Sequence, residues 1–400
     1  MNTFDEQEKL TRELHDRSHD VDGHPIDLAS VKQSARRIRL RRRIASGAVA
    51  AAVLAVAVPT ALAVTDGTDR TADPVGPNPT PTVTKSANPR PDGPVRLSTK
   101  GLPRGADPQI SYLQGKQLVE TGGTTPMPAA YHGIAAYGDG WAGLSFTETG
   151  SEIALLDGEG TVRETIPGAG SLAISADGGR LAYLQAGANG SASTLVSAPS
   201  DGSDPTTWPM PVGREISTVG FLGSDSVVYE TDGEKPVVGV ASGDGRSTEL
   251  PGLIGGGGTS PSAGVIAAQT SFSNTGSCWA MVNETGSTLW ETCAHSLQRF
   301  SPDGRYVIGT DAYGDGAGSR SLAILDAETG DLVVEYQQGK RNAIAITQMV
   351  WEDDDTVLAM AHEDNSWTVL RADTQGLLEA ASDPTRGDVV DSPLSFVISP

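Results

Sequence analysis

The chain has 400 residues, 38% hydrophobic and only 5% aromatic, and its 48 Gly and 25 Pro interrupt it too often for long helices. Twenty-nine basic against 50 acidic side chains give a net charge of −21, the wrong sign for a surface that grips nucleic-acid phosphates. Two cysteines are too few for a disulfide-dense scaffold or an all-cysteine zinc site.

The charge is segregated along the chain. Residues 1–31 carry eight acids against Lys9, Arg12 and Arg17. Seven basic residues follow without an acid: Lys32, Arg36, Arg37, Arg39, Arg41, Arg42 and Arg43. Residues 44–64 hold no charge, and 17 of these 21 are apolar. As a helix this segment spans roughly 31 Å, about the thickness of a bilayer's hydrocarbon core. A transmembrane helix at 44–64 with basic residues on one flank only is expected to keep a leader, 1–43, in the cytoplasm and place the long C-terminal part outside the cell membrane. Ala61-Leu62-Ala63 leaves open cleavage at Ala63 as a signal peptide. Either way the C-terminal part is exported.

Residues 66–95 contain no Leu, Ile, Phe, Tyr or Trp, and seven prolines. With nothing to bury, residues 65–100 are expected to form a disordered, proline-stiffened linker.

Beyond it one kind of turn recurs. Apolar stretches flank small acidic turns ending in Gly160, Gly202, Gly245, Gly286, Gly330 and Gly376, spaced 42, 43, 41, 44 and 46 residues apart. Hairpin loops of this kind need a residue at positive φ. A second marker lies between them, carrying Asp139, Asp177, Asp225 and Asp303, with Glu352-Asp353-Asp354 in a late repeat and no Asp at Pro261-Ser262-Ala263-Gly264. Two hairpins per repeat make four strands, and tandem four-stranded repeats of this length are the mark of β-propeller blades.

Phe300-Ser301-Pro302-Asp303-Gly304-Arg305-Tyr306-Val307 and Ile174-Ser175-Ala176-Asp177-Gly178-Gly179-Arg180-Leu181 resemble the S-P-D-G element of TolB-like and WD-repeat β-propellers. The resemblance covers about residues 131–384 and implies an all-β propeller. Dividing residues 101–400 by the period gives about seven blades where six hairpin markers are visible; six blades with the ends packed outside is the alternative. A seventh blade would be shared by the chain ends, with Ile110–Leu113 and Gln117–Val119 pairing with Leu394–Ile398, closing the ring and removing its open edges.

Cys278 and Cys293 test the register. A hairpin turning about Thr285 and Gly286 pairs residues whose numbers sum to 571, as these two do. Facing each other outside the membrane, they are expected to form a structural disulfide.

Motifs for catalysis are absent: no H-E-x-x-H, G-x-S-x-G or Walker-type loop occurs. His132, His295 and His362 are isolated in sequence, and the acidic runs at 311–316 and 352–355 lack a calcium-loop spacing. Arg386-Gly387-Asp388 reads as a terminal turn, and the six tryptophans as packing between blades. No catalytic, metal-binding or cofactor-binding residue is assigned, and no cofactor or nucleic-acid partner is expected.

The expected function is that of a membrane-anchored extracellular propeller, a non-enzymatic binding or scaffold module for a protein, peptide or glycan. One alternative is a transmembrane regulator whose leader, 1–43, holds a cytoplasmic partner. The leader, arginine run and single span resemble short membrane proteins of actinobacteria that accompany extracytoplasmic-function sigma factors. The other is an exported hydrolase on the same scaffold.

Overall fold

The computed structural model describes Pro91 and residues 93–147, 150–187, 191–212, 214–314, 318–339 and 343–398. The leader with Lys32, Arg36, Arg37, Arg39, Arg41, Arg42 and Arg43, the expected span at 44–64 and most of the linker lie outside the described residues.

Seven antiparallel sheets, each built on a four-stranded meander, follow one another, and no helix occurs among the described residues. Blade 1 runs Gly133–Tyr137, Gly140–Thr147, Gly150–Leu156 and Val162–Pro167, paired in that order. Blades 2 to 6 repeat the plan over residues 169–209, 216–250, 255–292, 295–338 and 344–386. The first strand of each blade lies against the first strand of the next, so these strands line the axis of a ring. The count is seven, not six.

Blade 7 is composite. Leu394–Phe396 from the C-terminal end is its innermost strand, and Tyr112–Gln114, Gln117–Glu120 and Gly123–Pro126 complete it. Tyr112 faces Phe396 and Gln114 faces Leu394, joining the two ends of the domain. On one side, Ile398 N donates to Ile134 O of blade 1 at 2.6 Å. On the other, Gln348 of blade 6 accepts from Phe396 N at 3.0 Å and donates to Ser395 Oγ at 3.3 Å.

Both faces of every sheet are covered, which is why middle strands read as apolar runs rather than alternating ones. Thr356–Glu363 is buried from its second residue to its last. The buried side chains form seven clusters, one at each junction between neighbouring blades. Tryptophans key several junctions: Trp208 Nε1 donates to Ser242 O of blade 3 and Trp290 Nε1 to Ala327 O of blade 5, at 3.1 and 2.9 Å. At the junction of blades 4 and 5 the glycine run 255–258 lets backbones touch, since a Cβ on Gly257 would stand 2.0 Å from Leu297 O.

The described strands start at Val95, before residue 100, where composition alone set the end of the linker. Val95–Leu97 adds a parallel fifth strand to the outer edge of blade 5, and Leu97 is fully buried. Leu97 is the first large apolar residue after the depleted stretch, and so the first with burial to gain. The arm then crosses blade 6. Glu363, 2% exposed, accepts from Thr99 N at 2.7 Å and from the hydroxyls of Ser98 and Thr99 at 3.0 and 2.9 Å. Arg371, 8% exposed, forks onto Glu352 at 2.5 and 2.8 Å, reaches Glu379 at 2.7 Å, and donates to Ala106 O and Asp107 O at 2.9 and 3.2 Å.

Cys278 and Cys293 are disulfide-bonded across the third and fourth strands of blade 4, with Cα atoms 4.1 Å apart. The pairs Trp279–Thr292, Ala280–Glu291 and Met281–Trp290 keep the register read from the sequence, with the irregularity confined to the turn beyond Met281.

Two outcomes follow from these junctions. Arg371→Met should cost about 3–5 kcal/mol, because it strands two part-buried carboxylates and frees the arm; urea unfolding of the variant against wild type measures it. Reduction of the disulfide should lower wild-type stability by about 2–3 kcal/mol and leave a Cys278→Ser/Cys293→Ser double variant unmoved.

Candidate functional site

Strands of a meander alternate in direction, so the turns joining first to second and third to fourth strands emerge on one face of the ring. That face collects both series of acidic turns found in the sequence. The six hairpin glycines 160, 202, 245, 286, 330 and 376 all have φ between +77° and +91°, which explains the residue type at each.

Two first-series turns share one hydrogen-bond plan. Ser175 Oγ donates to Asp177 Oδ1 at 2.6 Å, and Asp177 Oδ1 accepts from Gly179 N at 2.9 Å while Ser175 Oγ accepts from Arg180 N at 2.8 Å. In blade 5, Ser301 Oγ donates to Asp303 Oδ1 at 2.7 Å, Asp303 Oδ1 accepts from Arg305 N at 3.1 Å, and Ser301 Oγ accepts from Tyr306 N at 3.0 Å. Both serines are buried. Blade 4 replaces the aspartate with Ser262, whose Oγ sits 3.2 Å from Ser260 Oγ. Second-series turns use an Asx loop instead: Asp157, Asp201, Asp326, Asp373 and, in blade 4, Asn283 accept backbone N–H groups two residues on at 2.8–3.0 Å. Much of the acidity therefore builds turns.

The same bonds set the electrostatics. Hydrogen bonds from Ser175 and Gly179 hold the Asp177 carboxyl below its usual range, and Ser203 does the same for Asp201. Burial pushes Asp303 up, but Arg305 and Ser301 outweigh it and the carboxyl lies low. Arg163 grips Asp139 in a fork at 2.8 and 3.1 Å and lowers it too.

Basic residues on this face are mostly neutralised in place: Arg163 by Asp139, Arg246 by Asp244, Arg305 by Asp303 and Asp355. Exposed Glu159, Asp201, Asp204, Asp225, Glu284 and Glu328 have no ion-pair partner among the described residues, so the face is strongly negative. Lys116, Arg214, Lys235 and Arg320 lie in connections on the opposite face. Between blades 2 and 3 the negative face opens into a cleft of about 490 Å³, lined by Asp177, Arg180, Asp201, Ser203, Asp204, Ser224 and Asp225 among others. Arg180 Nε is buried without a hydrogen-bond partner among the described residues. Asp225, a marker in the sequence, makes no turn network of the Asp177 kind among the described residues; it lines the cleft, with its carboxylate lying over Gly243. Four carboxylates, a guanidinium and serine hydroxyls suit a cationic, hydrogen-bonding ligand.

The remaining candidates are accounted for by structure. His132 packs edge-on against Phe146 at 4.8 Å, His362 Nε2 donates to Gly387 O at 3.1 Å, and His295 opens the innermost strand of blade 5. No group of three metal-ligating side chains occurs among the described residues. Asp311 is taken up by Ser319, Arg320 N and Ser321 at 2.6–2.9 Å, and Glu352 by Arg371. Asp388 O accepts from Trp367 Nε1 at 2.9 Å, fastening the Arg-Gly-Asp turn to blade 6. Sequence reasoning missed Glu363 and Arg371, whose roles rest on partners as far as 265 positions away that nothing local marks.

No family model and no curated protein matches the chain. Its fold is similar to the β-propeller domain of the Trilobed protease from Pyrococcus furiosus, at 14% identity over 63% of this chain and 84% of that one, with a TM-score of 0.47. It is also similar to TolB from Acinetobacter baumannii (14% identity, 70% and 67% covered, TM-score 0.39) and BamB from Moraxella catarrhalis (16%, 71% and 85%, 0.39). At these identities the likeness is one of fold alone.

The turn networks carry a pH signature. Because the native carboxyls of Asp177 and Asp303 lie low, their contribution is complete above the usual carboxylate range near about pH 4 and is lost as pH falls through the lowered native values. Asp177→Ala/Asp303→Ala should cost about 1–2 kcal/mol per turn at neutral pH. The gap from wild type should close under acid, as thermal unfolding across a pH series would show.

Proposed function

We propose that this chain is a membrane-tethered, exported β-propeller that works by binding rather than catalysis, and that its acidic turn face receives a cationic segment of a protein or peptide partner. The observation that carries the reading is the one-sided charge of the disc: carboxylates concentrate on the turn face, and the basic residues there are largely paired within the chain. A field of one sign steers a partner of the other and speeds its encounter. The cleft between blades 2 and 3 supplies a place where such a segment would lodge. The tether rests on the uncharged stretch 44–64, its basic flank and the proline-rich stretch after it.

Binding of a lysine-rich peptide to the full chain tests the face. Affinity should fall steeply with salt, and Asp204→Asn/Asp225→Asn should weaken it by about 3–10-fold. Equal affinity for a glutamate-rich peptide, or a hydrolytic activity abolished by one carboxylate change, would count against the reading. Protease added to intact cells should release the propeller by cutting within 65–90; full protection would reverse the orientation.

A further inference from the structure

Neighbouring turns of the first series interlock at several junctions. Gly138 N of blade 1 donates to Gly178 O of blade 2 at 3.0 Å, and Asp303 N of blade 5 donates to Asp354 Oδ1 of blade 6 at 3.1 Å. Gly304 presses so closely on blade 4 that an added Cβ would stand 2.7 Å from Ser260 Oγ. Between blades 2 and 3 no hydrogen bond joins the corresponding turns, 175–179 and 223–225, among the described residues, and the cleft of about 490 Å³ lies there. Its volume is that of a small-ligand pocket.

The charges lining it are not equivalent. Asp177 and Asp201 are held by their own turns: Ser175 and Gly179 bond the first, and Ser203 bonds the second through N and Oγ at 2.9 and 2.7 Å. Asp204 and Asp225 are exposed, and accept no hydrogen bond and form no ion pair among the described residues. Arg180, at the start of the second strand of blade 2, lines the same cleft and forms an ion pair with none of the four. Its Nε is buried and meets no acceptor. After the hydrogen bonds from Ser175 to Asp177 and from Ser203 to Asp201, the Arg180 charge is a lesser cause lowering both carboxyls, so the guanidinium stands near the two without bonding either. A planar head with five N–H donors, set among carboxylates and bonded to none, can still take an oxyanion. A lone anion is repelled by the four aspartates, and a lone cation leaves Arg180 unanswered. A ligand carrying both charges meets both needs.

Building on the reading that the turn face receives a cationic segment, we propose that the cleft between blades 2 and 3 selects a peptide segment that presents a carboxylate beside its lysine or arginine, the cation going to Asp204 and Asp225 and the carboxylate to Arg180. Such a carboxylate comes either from a chain end after the lysine or from an acidic side chain next to it. Direct fork-to-carboxylate bonding outweighs the repulsion from the more distant aspartates, which solvent and salt screen.

Three acetylated peptides are titrated into the full chain at low, constant ionic strength and followed by calorimetry: Gly-Gly-Lys as the free acid, Gly-Gly-Lys as the C-terminal amide, and Gly-Glu-Lys as the amide. A negative field alone favours the Gly-Gly-Lys amide, which has the largest positive charge. The expected result is the reverse. At least one carboxylate-bearing peptide should bind about threefold or more tightly than that amide, and which one does tells chain end from side chain. Arg180→Met should restore the preference for the amide; the Ser175 bond runs to the main-chain N of residue 180 and survives the exchange. Arg180→Lys, keeping charge without the fork, should fall between. The arginines at 36–43 are common to all variants, so only the part of the preference that depends on Arg180 counts. If no peptide binds, the cationic-segment reading falls and this proposal with it. If the Gly-Gly-Lys amide binds wild type best, that reading stands and this proposal is overturned. It is overturned too if Arg180→Met keeps the wild-type preference or, should that variant not fold, if Arg180→Lys keeps it in full.

Discussion

A blade of this protein has two apolar faces and cannot bury either alone. Each face needs a neighbouring sheet, and an open row of blades would always leave two faces bare at its ends. Closing the row into a ring is the arrangement that covers them all, and the seven interblade clusters show it done. Everything else depends on the composite blade that makes the closure. Leu394–Phe396 enters between blades 6 and 1, and its pairing with Tyr112–Gln114 turns two loose ends into a staple. The hydrophobic effect supplies the drive and ring geometry the specificity.

Polar chemistry is pushed outward by the same constraint. With both sheet faces apolar, charged residues gather mainly in turns and outer strands. Turns need aspartate, asparagine, serine and glycine for local hydrogen bonding, and this chain draws mainly on aspartate. Because meander turns of one series share a face, a preference for local stability becomes a large-scale field. Asp177 and Asp303 are conformational first, and their charge is a by-product that a partner could use.

Where charge does enter the interior, it is nearly always answered. Glu363 is surrounded by the donors of Ser98 and Thr99, and Arg371 by Glu352, Glu379 and two carbonyls. These groups fasten the arm that leads from the outer edge of blade 5 to the closing blade, a place where apolar packing runs out. Burial makes such networks specific, since any half-satisfied alternative is penalised. Arg180, whose Nε is buried without a partner among the described residues, is the exception.

Much of the architecture was legible in the chain itself. Glycine spacing near 43 residues, the recurrent acidic turns and the numerical pairing of Cys278 with Cys293 are local or short-range facts, and hairpins obey local rules of loop length and positive φ. Tandem repetition then made the ring countable, even to its shared blade. Composition placed the end of the linker a few residues late, because a strand of three residues at Val95–Leu97 owes its existence to the edge of blade 5 rather than to its own pattern. Which face collects the carboxylates, which aspartates are consumed by turns and which line a cleft, and how Arg371 reaches Asp107 across 264 positions were decided by tertiary structure alone. The physical reason is that burial and charge pairing are properties of neighbours in space, and sequence records neighbours only along the chain.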